Sequence, residues 1–113
     1  MSNYDIFVEL IKSVNYFNNL YTDLNIKDEK QFHSNRKNID LSIHAVSEIS
    51  SVAKEINYAI IELVSDLADI LIPLINYSNK LVSKYGTSNT YKLYDFMSIE
   101  LPRLAKILEN IEK

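Results

Sequence analysis

His44 is the residue of this sequence with the most versatile chemistry, and the helical register around it places it opposite the apolar stripe. An exposed imidazole can act as a nucleophile or a general base near neutral pH. Asp40 and Glu48 stand four residues before and after it, on the same stripe of a helix. This spacing could bind a metal ion if His33 supplied a further ligand. A solvated outer helix face is the simpler interpretation, so we expect no metal and no cofactor.

Arg36 and His44 form a second pairing with potential chemistry. The pair resembles the Arg–His motif of the HEPN ribonucleases, an all-α family in which both residues act on the RNA phosphate. Seven residues separate the two here, which is more than that motif has. The resemblance covers these residues alone and does not assign the chain to the family. A nucleic-acid-linked enzyme or phosphorelay module using His44 and Arg36 is therefore an alternative function.

An acidic residue recurs every seven positions along the middle of the chain. We name this set the acidic ladder, and its members are Glu48, Glu55, Glu62 and Asp69. On one helix they would follow a single flank, which usually is only a solvated surface. The functional interpretation is a docking surface for a basic partner protein.

Composition excludes several classes of function. The chain has no cysteine, which rules out disulfides, thiolate catalysis and cysteine-bound metal. The formal net charge is -3 and basic residues form no stripe, so nucleic-acid binding is unlikely on electrostatic grounds. No glycine-rich phosphate loop, dinucleotide fingerprint or Ser–His–Asp arrangement is visible. The sequence therefore carries no specific catalytic motif.

The elements that position these residues follow from apolar spacing. Apolar residues recur in alternating steps of three and four from Ile39 to Leu81. The pattern predicts one long coiled-coil-like helix over about 39–84, kinked at Pro73 and ended by Gly86. Its self-association seam includes Val46, Ile49, Ile56, Ile60, Leu63, Leu67 and Ile70.

Two shorter helical segments flank the long helix. Residues 7–24 and 94–111 both show the three–four apolar rhythm. Asp28 and Gln31 have the spacing of a capping box, which predicts a further helix start between the first segment and the long helix. Pro102 falls inside the last segment, which predicts either one kinked helix or two short ones.

These elements predict an all-α helical bundle built on one long central helix, with shorter N- and C-terminal helices packed back on it. Residues 1–113 would form a single helical domain. Because a two-helix layer leaves apolar surface exposed, we expect two chains to pair their long helices as a homodimer. The alternative is a compact four-helix monomer, in which the long helix breaks near Pro73 or before Ile39.

The function that fits this architecture best is a non-enzymatic protein–protein interaction module. A self-associating helical adaptor, inhibitor or immunity-type protein would have these properties, with another protein of unknown identity as its partner. A membrane-active helical protein that exposes residues 60–75 is a further alternative, although Asp66 and Asp69 argue against a transmembrane segment. The absence of cysteine and of a visible signal peptide favours a cytoplasmic location.

Overall fold

A computed structural model describes residues 3–56, 65–83 and 92–112 of the chain. Within these ranges there is no β-strand, so the predicted all-α class is confirmed. Three of the helical elements, at the C-terminal end of the described chain, are consecutive: a short α-helix, a π-helix and the last α-helix. The helices are α1 (Asn3–Leu24), α2 (Glu29–His33), α3 (Arg36–Lys54), α4 (Ser65–Ser83), α5 (Leu93–Asp95), the π-helix (Phe96–Glu100) and α6 (Leu101–Glu112).

The turn between α1 and α2 contains side-chain hydrogen bonds to backbone amides. Asn25 follows α1 with a φ of 52°, a left-handed conformation that asparagine tolerates at a helix end. The amide of Gln31 donates to Asp28 Oδ1 over 2.8 Å. The side-chain oxygen of Gln31 accepts from the amide of Lys27 over 2.7 Å. The predicted cap at Asp28 is confirmed, because its carboxylate accepts from an amide that the helix leaves unbonded. The reciprocal bond of Gln31 differs from that of a capping box, since it goes to the amide of Lys27 rather than to that of Asp28.

Helix α3 begins earlier than the heptad pattern does. Asn35 caps it, because its Oδ1 accepts a hydrogen bond of 3.0 Å from the amide of Lys37. Asn38, inside the first turns, is buried and donates from Nδ2 to the carbonyl of Phe32 over 3.2 Å. These two asparagines fix the angle at which α3 leaves α2.

The heptad pattern does not form one continuous helix. Helix α3 ends at Lys54, and the amides of Glu55 and Ile56 each donate to the carbonyl three residues earlier over 3.1 Å. Such short-range bonds tighten a helix end. Residues 57–64 lie outside the described part of the chain, and the next described helix begins at Ser65.

Helices α3 and α4 pack against each other, which two parts of one straight helix cannot do. Lys54 Nζ donates to Asn79 Oδ1 over 2.8 Å, whereas a continuous helix would hold these residues about 37 Å apart. A helix over 39–84 would also span about 67 Å, and the longest dimension of the molecule is 40 Å. The expected single helix is therefore corrected to two helices that pack together.

The four longest helices form a closed bundle. Helix α3 contacts α1 and α4, and α6 also contacts α1 and α4, so that each helix has two neighbours. This is the compact four-helix arrangement, but the chain leaves the helix after Lys54 rather than near Pro73 or before Ile39. One core holds the buried apolar side chains, and its fully buried members include Leu10, Phe17, Phe32, Ile49, Leu67, Leu71, Met97, Leu101 and Leu104.

The last helical run continues through Pro102, because the helix forms a wider turn there instead of ending. The amide of Leu101 donates to the carbonyl of Phe96, five residues earlier, which defines a π-turn. Proline has no amide hydrogen and its ring clashes with the carbonyl four residues before it, so a wide turn beside it relieves the conflict. Ser98 does not cap a new helix, because its hydroxyl donates to the carbonyl of Tyr94 over 2.6 Å. The segment is one run with a π-turn.

Phe32 anchors the short helix α2 to the rest of the molecule. Its side chain is fully buried, and its ring centroid lies 6.4 Å from that of Tyr21 and 5.4 Å from that of Tyr94. The hydroxyl of Tyr21 is buried and has no hydrogen-bond partner among the described residues. Burial raises the pKa of Tyr21, and the nearby Tyr94 raises it further.

Replacing Phe32 with alanine should destabilise the protein by about 3–5 kcal/mol, because it leaves a cavity where three aromatic rings meet. Urea unfolding followed by circular dichroism measures this change. Tyr16→Ala is the matched control, since 59% of Tyr16 is exposed, and it should change stability by no more than about 0.5 kcal/mol. Equal losses in the two variants would contradict the anchoring role.

The Tyr21→Phe variant should be more stable by about 1 kcal/mol, because it removes a buried hydroxyl that lacks a partner. The raised pKa also predicts a pH dependence. Above the ordinary pKa of 10.0, the unfolded chain loses the Tyr21 proton before the folded chain does, so stability falls as pH rises from there.

Urea unfolding of both proteins between pH 8 and 11 tests this expectation. The stability difference between variant and wild type should widen above pH 10, because the variant lacks the titrating group. If Tyr21→Phe is less stable than the wild type at pH 8, or if its advantage in stability narrows at alkaline pH, the Tyr21 hydroxyl has a hydrogen-bond partner.

Candidate functional site

His44 lies on the surface of α3, as its register predicts, and lines a cleft between α1 and α3. Its ring also rests against Phe17, with the ring centroids 5.5 Å apart. The cleft has a volume of about 410 Å³. Its lining residues are Lys12, Ser13 and Tyr16 from α1, and His44 and Glu48 from α3.

The cleft gathers polar side chains but does not arrange them as a catalytic site. A catalytic imidazole needs a hydrogen bond that fixes its tautomer, and a nucleophile needs a base within reach. In the described part of the chain, His44 makes no such hydrogen bond, and the carboxylate within 4.0 Å of Lys12 is that of Glu9. The cleft is therefore a polar surface recess with no positioned acid–base pair.

Arg36 and Asp40 form an ion pair with each other rather than with His44. Arg36 Nε lies 3.4 Å from Asp40 Oδ1, and both side chains are largely exposed. The eight positions from Arg36 to His44 correspond to about 12 Å along a helix, and Arg36 does not line the cleft. Among the described residues, no group of three or more His, Asp or Glu could hold one metal ion. The structure does not bring together the metal-binding set considered from the sequence.

The acidic ladder is divided between separate surfaces. Glu48 lines the cleft between α1 and α3, whereas Asp69 lines a groove beside α4. Glu55 is exposed in the turn that ends α3, and Glu62 lies outside the described residues. Because α3 and α4 are different helices, the described members of the ladder do not form the single stripe that the sequence predicts.

The predicted self-association seam faces the core of the chain itself. Ile60 and Leu63 lie outside the described residues, and the other five seam side chains are at most 3% exposed. Helices of the same chain cover them, so they do not form an exposed apolar stripe for a second copy. The five are Val46, Ile49, Ile56, Leu67 and Ile70.

A groove that the sequence analysis did not anticipate lies between α4 and the run formed by α5 and the π-helix. We call it the α4–π groove. It is open to solvent and has a volume of about 390 Å³. One wall contains Asp69, Ile70, Pro73, Leu74 and Tyr77 from α4, and the other contains Lys92, Asp95, Phe96 and Glu100.

The α4–π groove has an apolar floor and a mainly acidic rim. Ile70, Leu74 and Phe96 are nearly buried and form the floor together with the exposed ring of Pro73. Of the described residues, three with a carboxylate and one with an ammonium group stand around them. At these charges the rim attracts cations and repels phosphate and other anions.

Arg103 joins the two walls next to the groove. Its guanidinium lies 3.9 Å from Asp66 of α4 and 4.0 Å from Glu100 of the π-helix. All three side chains are partly exposed, so these ion pairs add little stability. They place a guanidinium beside the Glu100 end of the acidic rim.

A third recess lies between α1 and α6 and is lined by both polar and apolar groups. Its volume is about 350 Å³. The side-chain oxygen of Asn18 is buried there without a hydrogen-bond partner among the described residues. Lys106 and Ala105 line the opposite wall on α6. The recess lacks the contiguous apolar floor of the α4–π groove.

Comparison of the chain with known protein families, with curated protein sequences and with solved structures found no match. None of the helices in the described ranges combines the length and the apolar character needed to cross a bilayer. The apolar side chains of α4 that a membrane-active protein would have to expose, among them Leu67, Leu71 and Ile75, are buried in the bundle.

Proposed function

We propose that this chain is a non-enzymatic protein–protein interaction module that binds its partner in the α4–π groove. The observation that carries the proposal is an open apolar floor enclosed by charged side chains. Protein interfaces have this organisation, with an apolar centre that loses water and a polar rim that remains hydrated. An adaptor, an inhibitor or an immunity-type protein would use such a surface.

The partner in this proposal is a different protein rather than a second copy. Self-association was expected through the seam, and the described seam residues are occupied within the bundle. The acidic ladder does not supply the surface either, since only Asp69 of its described members lines the groove. The groove thus replaces both surfaces that the sequence suggested.

A photoreactive amino acid in a wall of the groove tests this proposal in cells that express the chain. Placed at Tyr77, which lines the groove, it should cross-link to a discrete partner, whereas the same group at Asn19, an exposed position of α1, should not. Equal yields from both positions would overturn the proposal.

A matched pair of substitutions on α4 tests the floor of the groove. Pro73→Gln places a longer polar side chain over the floor and restores a helix-compatible residue, so the fold should persist. Cross-linking through the group at Tyr77 should then fall about tenfold, which corresponds to about 1.4 kcal/mol of binding free energy. Asn76→Gln alters an exposed position of α4 outside the groove and should leave the yield unchanged. An unchanged yield in Pro73→Gln would contradict binding at the floor.

The second candidate function is a nucleic-acid-linked enzyme or phosphorelay module that uses His44. The gathering of five polar side chains in the cleft between α1 and α3 favours it. Arg36 contributes less to this candidate, because it is paired with Asp40.

His44→Ala separates the two functions. Under the binding proposal, the variant should keep the cross-link from Tyr77 and the full biological activity of the wild type, because His44 lies away from the groove. Stability should change by no more than about 0.5 kcal/mol at this exposed position. Loss of activity with the cross-link and the stability intact would establish the enzymatic alternative.

A further inference from the structure

We infer that the occupant of the α4–π groove is an amphipathic helix of the partner protein, with apolar anchor residues flanked by Lys or Arg. This inference rests on the proposed function and specifies the chemistry of the partner. It follows from three properties of the groove: its helical walls, its length and the charge of its rim.

The walls determine the backbone form of the occupant. An extended peptide binds well where a sheet edge offers unpaired amides and carbonyls, and the described ranges contain no strand. The groove walls are helices, which form most of their backbone hydrogen bonds internally. A helix satisfies its own backbone groups, so it can bury side chains here without leaving amides unpaired.

The length of the groove fits a short helical contact. On α4 the lining extends from Asp69 to Tyr77, which corresponds to about 12 Å along the helix axis. Anchors at positions i, i+3 or i+4, and i+7 of a docked helix span about 10.5 Å. Two turns of a partner helix can therefore place their apolar side chains along the floor.

The rim determines the charge of the occupant. Asp69 stands on one wall and Asp95 and Glu100 stand on the other. Among the described residues, Lys92 is the one basic residue that lines the groove, and Arg103 beside the groove lies 4.0 Å from Glu100. Basic residues beside the anchors would meet carboxylates on both sides. Nucleic acid and anionic lipid surfaces carry the same negative charge as the rim carboxylates, which therefore repel them.

A second copy of this chain does not meet the requirement. The whole chain carries a net charge of -3, so two copies repel each other weakly. Helix α6 has basic residues beside apolar ones, but its Leu104 and Leu108 are buried in the core of its own bundle. Docking α6 of one chain into the groove of another would require unfolding the first.

A displayed library of helical peptides tests the inference directly. Each peptide has leucine anchors at i, i+4 and i+7 on an alanine-rich helix, with the flanking positions randomised over Lys, Arg, Glu, Gln and Ser. Selection uses the full wild-type chain, and counter-selection against Pro73→Gln removes peptides that bind elsewhere. We expect Lys and Arg to be enriched at least threefold over Glu at the flanks.

Charge-neutralising variants then measure the contribution of the rim. For the selected peptides, the double variant Asp69→Asn with Asp95→Asn should raise Kd at least tenfold. The matched control, Asp23→Asn with Glu29→Gln, makes the same change of charge at exposed positions outside the groove and should change Kd less than twofold. Raising the salt concentration from 50 to 500 mM should weaken wild-type binding more than it weakens binding to the double variant.

The outcomes distinguish the inference from the function on which it rests. The charge requirement is overturned if the peptides that need the groove show no excess of Lys and Arg, or if their Kd for the double variant is unchanged. Either result would still leave the α4–π groove as the binding surface. If every selected peptide binds Pro73→Gln as tightly as it binds the wild-type chain, both the inference and the groove-binding proposal are overturned. The same follows if the library yields no peptide that binds the wild-type chain.

Discussion

The packing of α3 against α4 is the contact on which the other features depend. Each of these helices carries an apolar stripe, and a stripe is stable in water only when another element covers it. Packing the two parts of the heptad segment side by side lets the two stripes cover each other, while α1 and α6 close the remaining sides. Burial of one large apolar side chain contributes about 1.5–3 kcal/mol, so the many fully buried residues of the core outweigh the lost helical continuity.

Apolar spacing predicts the helices and their buried faces but not the end of α3 at Lys54. Residues 54–56 contain neither glycine nor proline, so no local signal marks the end of α3. Periodicity reports which side of a helix is covered, and it is the same whether the cover is another chain or the next segment of the same chain. The cap at Asp28 was predictable because its hydrogen bond is local. The expected stop at Gly86 lies outside the described residues.

The site was less predictable than the fold, because its parts come from distant segments. His44 could be placed on the surface from its register alone, since exposure follows from the helix period. The α4–π groove combines residues near 70 with residues near 96, and only the bundle brings them together. The π-turn beside Pro102 forms part of one wall, and its geometry depends on how the helix accommodates the proline.

In the α4–π groove, the apolar floor and the charged rim contribute differently to affinity and to selectivity. Its floor residues Ile70, Leu74 and Phe96 are already between 3% and 6% exposed, so they offer a partner only a small additional apolar area. Small interfaces of this kind are typical of transient complexes. In such a complex the rim carboxylates decide which helices approach and in which orientation, because complementary charge mainly sets association rate and specificity. Screening limits this influence to about 8–10 Å at physiological salt, so a partner must present its basic residues directly beside its apolar anchors.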